Sequence, residues 1–504
     1  MTSRKKTPSS LLLVSNRLPY NLPRAHLPLS RNVGGLVNAL EPVLVDRGGG
    51  WIGWDGVPLS SVKAVQSALQ STKSYRTPSG IDLHGVPLSD REVSRYYRGF
   101  SNRTLWPLFH DFADKTVFNP EDYGAYFQVN RRFAEVVVSR LTPASRVWVQ
   151  DFHLMLVPQY LRELGFDGRI DFFLHIPFPA LDIYRKLPWR AELVRGILAS
   201  DAIGFHVDAY RDHFVDAARS LCGALRIGRD RNGCIRLSHG GRECGIFSAP
   251  IGIDVSDFER LASTEEIRAR ARRIAESYDS CRILFGADRL DYTKGIQERL
   301  RAFEHFLSIC PEAIGKVVLI QVVVPGRSQV EEYRMMKREI DREVGRINGE
   351  FGRAGWQPIH YRYRALDRKD LIAMYRAADV ALVTPLRDGM NLVAAEYAAS
   401  RVDEDGALVL SEFAGLAECV AGAILVNPYD LAGCARAIGK ALELSREERR
   451  QRMRMLRRHI KGNPATEWAE RCLTAGESGR IAGAALQSSV GGRAGMAASR
   501  RVES

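Results

Sequence analysis

At 504 residues the chain is too long for one hydrophobic core and calls for two or three domains. Its hydrophobic content of 45% is ample for burial, and no apolar run reaches the about 18 residues of a membrane span, so a globular protein outside the membrane is expected. The net charge of +13 raises nucleic acid as a partner, yet no zinc finger, helix-turn-helix or aromatic-interleaved basic strand accompanies it, which excludes nucleic acid from this reading.

Residues 1–10 are polar and carry three positive charges, which reads as a disordered tail. The apolar run that follows, from Leu11 to Val14, is too short for a signal-peptide core, so a cytoplasmic protein is expected. A strand over 11–16 ends at Arg17, and the glycine pair Gly34-Gly35 then allows close backbone approach before a helix. Strand-like runs recur at 147–151, 171–176 and 202–206, each followed by helix-period sequence. The first two end in Asp151 and His175 among aromatics and prolines, a pairing that suits a sugar pocket.

The pattern breaks near 250–262, which sets a first domain at 11–255 and a second at 256–460. A charged helix over 264–278 leads to strands at 283–287, 317–324, 359–363, 380–384, 407–411 and 423–426. Near-continuous apolar strands alternating with helices mean parallel sheets covered on both faces, here two Rossmann-like domains. After the strand at 283–287 come Arg289 and Lys294, five apart, able to neutralise a diphosphate with a planar fork and a point charge. Residues 331–351 form an amphipathic helix whose Tyr333, Met336, Ile340, Val344 and Ile347 face the core.

The segment 381–397 is the most informative. A strand feeds the turn Pro385-Leu386-Arg387-Asp388-Gly389, and a helix begins near Asn391. Amides at a helix start are a natural seat for a diphosphate, and Glu396 lies within reach of the outer part of the same ligand. Standing alone, the segment reads equally well as a plain strand–turn–helix with Arg387 and Asp388 solvated. Further on, seven arginines and two glutamates fall between Ser445 and Ile460, a solvated helix opened by a Ser445/Glu448 capping box. Residues 461–474 form a C-terminal helix packing back on the first domain, and 475–504 a second disordered tail. The eight cysteines form no Cys-x-x-Cys pair and read as reduced thiols, with no metal expected from them.

Four strings in this order, Phe172-Phe-Leu-His-Ile-Pro-Phe-Pro179, Arg289-Leu-Asp-Tyr-Thr-Lys-Gly295, Arg346-Ile-Asn-Gly-Glu-Phe-Gly352 and Thr384-Pro-Leu-Arg-Asp-Gly-Met-Asn-Leu-Val393, resemble the trehalose-6-phosphate synthase family of retaining glycosyltransferases. The resemblance runs from Leu11 to about Leu473 and implies an α/β protein of GT-B architecture. It implies transfer of glucose from a nucleotide sugar, usually UDP-glucose, to glucose 6-phosphate, with no cofactor and no metal, since the basic pair does that work.

By motif, Arg289 and Lys294 would hold the donor diphosphate and Glu396 the ribose. Asp388, Gly389, Met390, Asn391, Leu392 and Val393 would hold donor glucose and phosphates, and His175 and Asp151 would line the sugar pocket. Arg17, Tyr97 and Arg327 would meet the acceptor phosphate, with Trp54 and Trp106 walling its sugar, and Gly34 and Gly35 would belong to a loop that closes over both.

Two departures stand out: Asn32-Val33 before the glycine pair, and Ala395 where the family has lysine, which leaves nucleotide preference open. A sister enzyme such as a glucosylglycerol-phosphate synthase, or a silent sugar-phosphate-binding regulator, are the alternatives. Oligomeric state is left open, with room for a homo-oligomer.

Overall fold

The computed structural model describes residues 11–23, 29–31, 35–70, 74–230, 233–279, 281–326 and 331–475. The tails 1–10 and 476–504, the residues Asn32, Val33 and Gly34, and Arg327 lie outside the described residues. Strands are numbered in chain order: β1 Leu11–Arg17, β2 Tyr20–Asn21, β3 Ser30–Arg31, β4 Gly49–Trp54, β5 Tyr75–Arg76, β6 Asp82–Gly85, β7 Arg146–Gln150, β8 Ile170–Phe173, β9 Ala202–Phe205, β10 Leu225–Arg229, β11 Ile235–His239 and β12 Arg242–Ser248. The second half adds β13 Arg282–Arg289, β14 Val317–Val324, β15 Ile359–Arg362, β16 Val380–Val383, β17 Ala407–Ser411 and β18 Ile424–Val426.

The first sheet has the order β10-β11-β12-β9-β8-β7-β1-β4-β6-β5. Its centre, from β12 to β6, is parallel, and β10, β11 and β5 are antiparallel additions at the two edges. The second sheet is parallel throughout, in the order β15-β14-β13-β16-β17-β18. In both, the chain starts in the middle, builds to one edge, then crosses back to build the other. The order therefore reverses between β1 and β7 in the first sheet and between β13 and β16 in the second. A crevice opens at the carboxyl ends of strands at such a reversal, and ligands bind there.

The sequence explains the parallel strands directly. Val317-Val-Leu-Ile-Gln-Val-Val-Val324 is buried over its first seven residues, which only a strand covered on both faces requires. The helix Glu331–Phe351 covers one face with Tyr333, Met336, Ile340, Val344 and Ile347, all buried among Leu284, Leu319 and Val323. Each such aliphatic side chain, fully buried, contributes about 1.5–3 kcal/mol.

After β12 the chain crosses to the second domain through residues 250–254, and after the helix Arg446–Lys461 it crosses back through 462–464 into the helix Ala465–Thr474. The two crossings touch: a Cβ on Gly252 would lie 1.6 Å from the Asn463 carbonyl oxygen, so only glycine fits there. The returning helix seats Trp468, fully buried, against Trp148 of β7 and Phe173 of β8 at ring separations of 5.4 and 5.1 Å.

The helix Arg446–Lys461 does open with the Ser445/Glu448 capping box. Its arginines are less solvated than the sequence suggested. Arg449 pairs with Asp405 at 2.6 Å, Arg454 with Glu404 at 2.7 Å, and the buried Arg457 donates to the carbonyls of Ala398 and Ala399, each at 2.9 Å. That part of the positive charge is consumed internally. No helix among the described residues is long and apolar enough to cross a membrane.

Candidate active site

At the second reversal, the loops after β13 and β16 are bound to each other. The amide of Leu386 donates to the Thr293 carbonyl at 2.8 Å. Gly295, at φ 62, closes the turn Tyr292–Lys294, and a Cβ there would lie 2.3 Å from the Thr384 carbonyl oxygen. Beneath both loops, the buried Arg299 donates to Asp288 at 2.5 Å, to Gln321 at 3.1 Å and to Thr384 Oγ1 at 3.0 Å. Breaking such a buried pair would leave an uncompensated charge in the interior, a cost of about 3–5 kcal/mol.

Above this base, Lys294 Nζ donates to Asp388 Oδ2 at 2.6 Å. The same carboxylate accepts from Asn391 Nδ2 and from the Gly389 amide, both at 3.0 Å. Burial raises the Asp388 carboxyl, but the charge and hydrogen bond of Lys294 outweigh it and leave the group below its ordinary value. Asn391 sits at φ 65 and caps the helix Leu392–Ser400, accepting from the Ala394 amide at 3.4 Å. The first-turn amides from Leu392 onward have no intrahelical partner, so Gly389, Met390, Asn391, Leu392 and Val393 form a turn suited to an anion.

Glu396, on that helix, accepts from the Tyr375 hydroxyl at 3.0 Å and is pushed up to about 7 by burial, the hydrogen bond offsetting part of the rise. With Leu392, Asn38 and Arg368 it lines a cleft of about 610 Å³ between this helix and Gly35–Arg47. Gly35 opens the latter helix.

The first domain answers with its own reversal point. Asp151, just past β7, is held at φ 74, and its Oδ1 accepts from the His175 amide at 3.2 Å. Burial pushes its carboxyl up to about 6 against the hydrogen bonds it accepts and the charge of Arg289. The His175 ring bonds Gln150 through Nε2 at 2.9 Å and lies 5.3 Å from His206; burial, then His206, holds it well below the ordinary imidazole value, hence neutral. The backbone of His175 presses on the donor turn: a Cβ on Gly389 would lie 2.2 Å from its carbonyl oxygen.

An aromatic wall joins the two reversal points. The Arg17 guanidinium lies 4.9 Å from the Trp54 ring, Trp54 meets Tyr97 edge-on at 6.0 Å, and Tyr97 stacks on His153 at 5.8 Å. Phe152 and Trp106 continue it, at 3.9 and 5.8 Å, to the Arg289 guanidinium, 5.9 Å from Trp106. Trp106 also donates across the cleft to Asp291 at 3.3 Å. Tyr97 is carried by an uncommon element, the π-helix Val93–Leu105, of a kind often found at functional sites.

The fold thus joins Arg17, Trp54, Tyr97, Trp106 and Arg289 along one wall and sets the Lys294–Asp388 and Asp151–His175 contacts near Arg289, while Glu396 lines a cleft to which none of the others contributes. Sequence reasoning missed His110, Asp291 and His153. His110 is buried, packs tilted against Trp106 at a ring separation of 4.1 Å, and is lowered to about 4, chiefly by burial. The four-residue spacing of Trp106 and His110 in a helix was the available signal. One Asp-x-Asp sequence is present, Asp403-Glu404-Asp405, but its carboxylates are tied to Arg401, Arg454 and Arg449 at 3.2, 2.7 and 2.6 Å. No group of three or more His, Cys, Asp or Glu side chains placed to hold a metal ion occurs among the described residues.

Two Rossmann-like domains whose reversal points face each other, one lined with aromatics and the other with the basic residues Arg289 and Lys294, are the arrangement of a glycosyltransferase of the GT-B fold. The chain belongs to glycosyltransferase family 20, whose family model matches residues 9–477. It is 45% identical over 479 residues to a trehalose-6-phosphate synthase of Mycolicibacterium gilvum, covering 93% of each chain, and 44% identical to that of Mycobacterium leprae, covering 93% of this chain and 94% of the relative. Among solved structures, it is similar to the Burkholderia xenovorans α,α-trehalose-phosphate synthase (UDP-forming) in complex with glucose-6-phosphate, with TM-score 0.84, 35% identity, and coverage of 92% of this chain and 99% of that one. It is equally similar to the E. coli enzyme bound with UDP-2-fluoro glucose, with TM-score 0.84, 33% identity and coverage of 92% and 98%.

Proposed function

We infer that this enzyme transfers glucose from UDP-glucose to C1 of glucose 6-phosphate with retention, giving α,α-trehalose 6-phosphate and UDP. The observation that carries the reading is the placement of Arg289 and Lys294 at the second reversal point, across from the Arg17–Trp54–Tyr97 wall of the first. Two relatives with those substrates or an analogue bound support it.

In this reading Arg289, Lys294 and the amides from Met390 to Val393 receive the donor diphosphate, and Glu396 receives the ribose hydroxyls. Asp388, Asp151 and His175 orient the donor glucose, while Arg17, Tyr97 and Arg327 hold the acceptor phosphate with Trp54 and Trp106 beside its ring. The C1–oxygen bond to the diphosphate breaks as the acceptor oxygen approaches on the same face, and a departing phosphate oxygen takes the acceptor proton. The barrier is lowered by fixed positive charge on the leaving group, which two basic side chains and helix amides supply without a metal or a carboxylate nucleophile. The eight cysteines, all unpaired, suit a reducing compartment, and we place the enzyme in the cytoplasm.

The test is nucleoside diphosphate release from UDP-, ADP- and GDP-glucose, each with and without glucose 6-phosphate, with the product identified by mass and by its non-reducing character. Release that depends on glucose 6-phosphate, fastest with UDP-glucose, is expected. Release without acceptor, or a product of another mass, would overturn the assignment.

A further inference from the structure

The donor turn is gripped from both sides of the cleft. On its own side, the Asp388 amide donates to the Phe413 carbonyl at 3.1 Å. From the first domain, the buried hydroxyl of Tyr210, on the helix Asp208–Cys222, donates to the Asp388 carbonyl at 3.0 Å. Arg387, the preceding residue, lies over the same tyrosine ring, 5.3 Å from its centroid, with its Nε 3.2 Å from Asp111 Oδ2. Asp111 is held at φ 67, a left-handed conformation that costs a non-glycine residue free energy, just past the helix Trp106–Phe109.

The covalent geometry links these contacts to the chemistry. The Asp388 carbonyl and the Gly389 N–H belong to one planar peptide, so a bond to the oxygen fixes where the N–H points. That N–H donates to Asp388 Oδ1, and the other carboxylate oxygen, Oδ2, accepts from Lys294. A hydrogen bond from the first domain is therefore two links from the lysine that faces the leaving group.

We propose that Tyr210, with the Arg387–Asp111 pair beside it, is a positioning clasp through which the acceptor-side domain sets the Asp388–Gly389 peptide, and with it Lys294, in the geometry that receives the donor diphosphate. These residues act through Asp388 and are positioning residues. Because the clasp forms between domains, it couples the two ligand sites: an acceptor that holds the domains together tightens the grip on the diphosphate. The inference rests on the transferase reading above.

The experiment is calorimetric titration of the full chain with UDP, alone and with saturating glucose 6-phosphate, alongside steady-state kinetics. In the wild type, glucose 6-phosphate is expected to tighten UDP by about 5-fold, the size of one neutral hydrogen bond. Tyr210→Phe keeps the ring and removes the hydroxyl. It should bind UDP alone as the wild type does, lose the tightening, and lower kcat about 5-fold with KM for glucose 6-phosphate unchanged. Asp111→Asn, at an exposed position, should act in the same direction, and combining it with Arg387→Gln should cost no more than either alone. That pair also carries the test if Tyr210→Phe does not fold. Wild-type coupling retained in these variants, or binding of each ligand alone lost together with thermal stability, would overturn the clasp. UDP binding without coupling in the wild type would overturn the clasp alone; no UDP binding at all would take the transferase reading with it.

Discussion

Lys294 and Asp388 are 94 positions apart in the chain and meet at 2.6 Å, tying the loop after β13 to the loop after β16. The pair sits where the strand order of the second sheet reverses, so the sheet's topology brings its ligand-binding groups together. Lys294 keeps further N–H donors beyond the one given to Asp388, which in the proposed mechanism leaves it free to meet the diphosphate as well.

Removing charge at the leaving group should cost rate with little loss of fold. Arg289, at the exposed end of β13, replaced by Ala should lower kcat about 10²–10³-fold, on the scale of one preorganised transition-state donor, with an unchanged melting temperature. Lys294→Ala should do the same and also destabilise, because it leaves the buried Asp388 carboxylate without its counter-charge. Kinetics paired with thermal denaturation distinguishes the two; an active Arg289→Ala would remove the leaving-group role.

Glu396 predicts a pH signature. Its folded value of about 7 lies above the ordinary carboxyl value of 4.5, so the folded state holds a proton that the unfolded chain releases between those limits. Its contribution to stability is therefore full below about 4.5 and lost as pH rises through about 7. Glu396→Gln should stabilise the protein above pH 7 by about 1–3 kcal/mol while weakening donor binding, which in the wild type should tighten as pH rises through the same range. Donor KM against pH, with melting curves of both proteins, checks each sign.

Gly389→Ala introduces a methyl carbon 2.2 Å from the His175 carbonyl oxygen. Since that contact lies between domains, each domain should fold while the cleft is wedged open. Activity should fall at least about 10²-fold, in line with the cost of a 1 Å misplacement of reacting groups. Small-angle scattering should record a larger radius of gyration; wild-type kinetics would refute the contact.

Trp468→Ala should cost about 3–5 kcal/mol, the range for deleting a large buried aromatic, by emptying the contact with Trp148 and Phe173. Chemical denaturation measures this directly, and a loss under about 1 kcal/mol would mean the returning helix is not an anchor.

The parallel strands were legible because burial on both faces demands long apolar runs such as that of β14. Gly49-Gly-Trp-Ile-Gly-Trp54 was not: half of β4 is glycine, which reads as a turn, and the partner strands supply what the residue types lack. The π-helix Val93–Leu105 escaped for a related reason, since its repeat matches neither the helical nor the strand period. Within the site, residues at strand ends were legible because strand ends are where such folds bind. Tyr210 and Asp111 were not, because their meaning lies in partners 178 and 276 positions away, which no local pattern records.

The contact of Gly252 with Asn463 has a mechanical consequence. The two halves are joined by a pair of abutting straps, as covers are joined at a spine, and among the described residues the chain passes between them at no other place. Any change in the angle between the domains is therefore carried by residues 250–254 and 462–464.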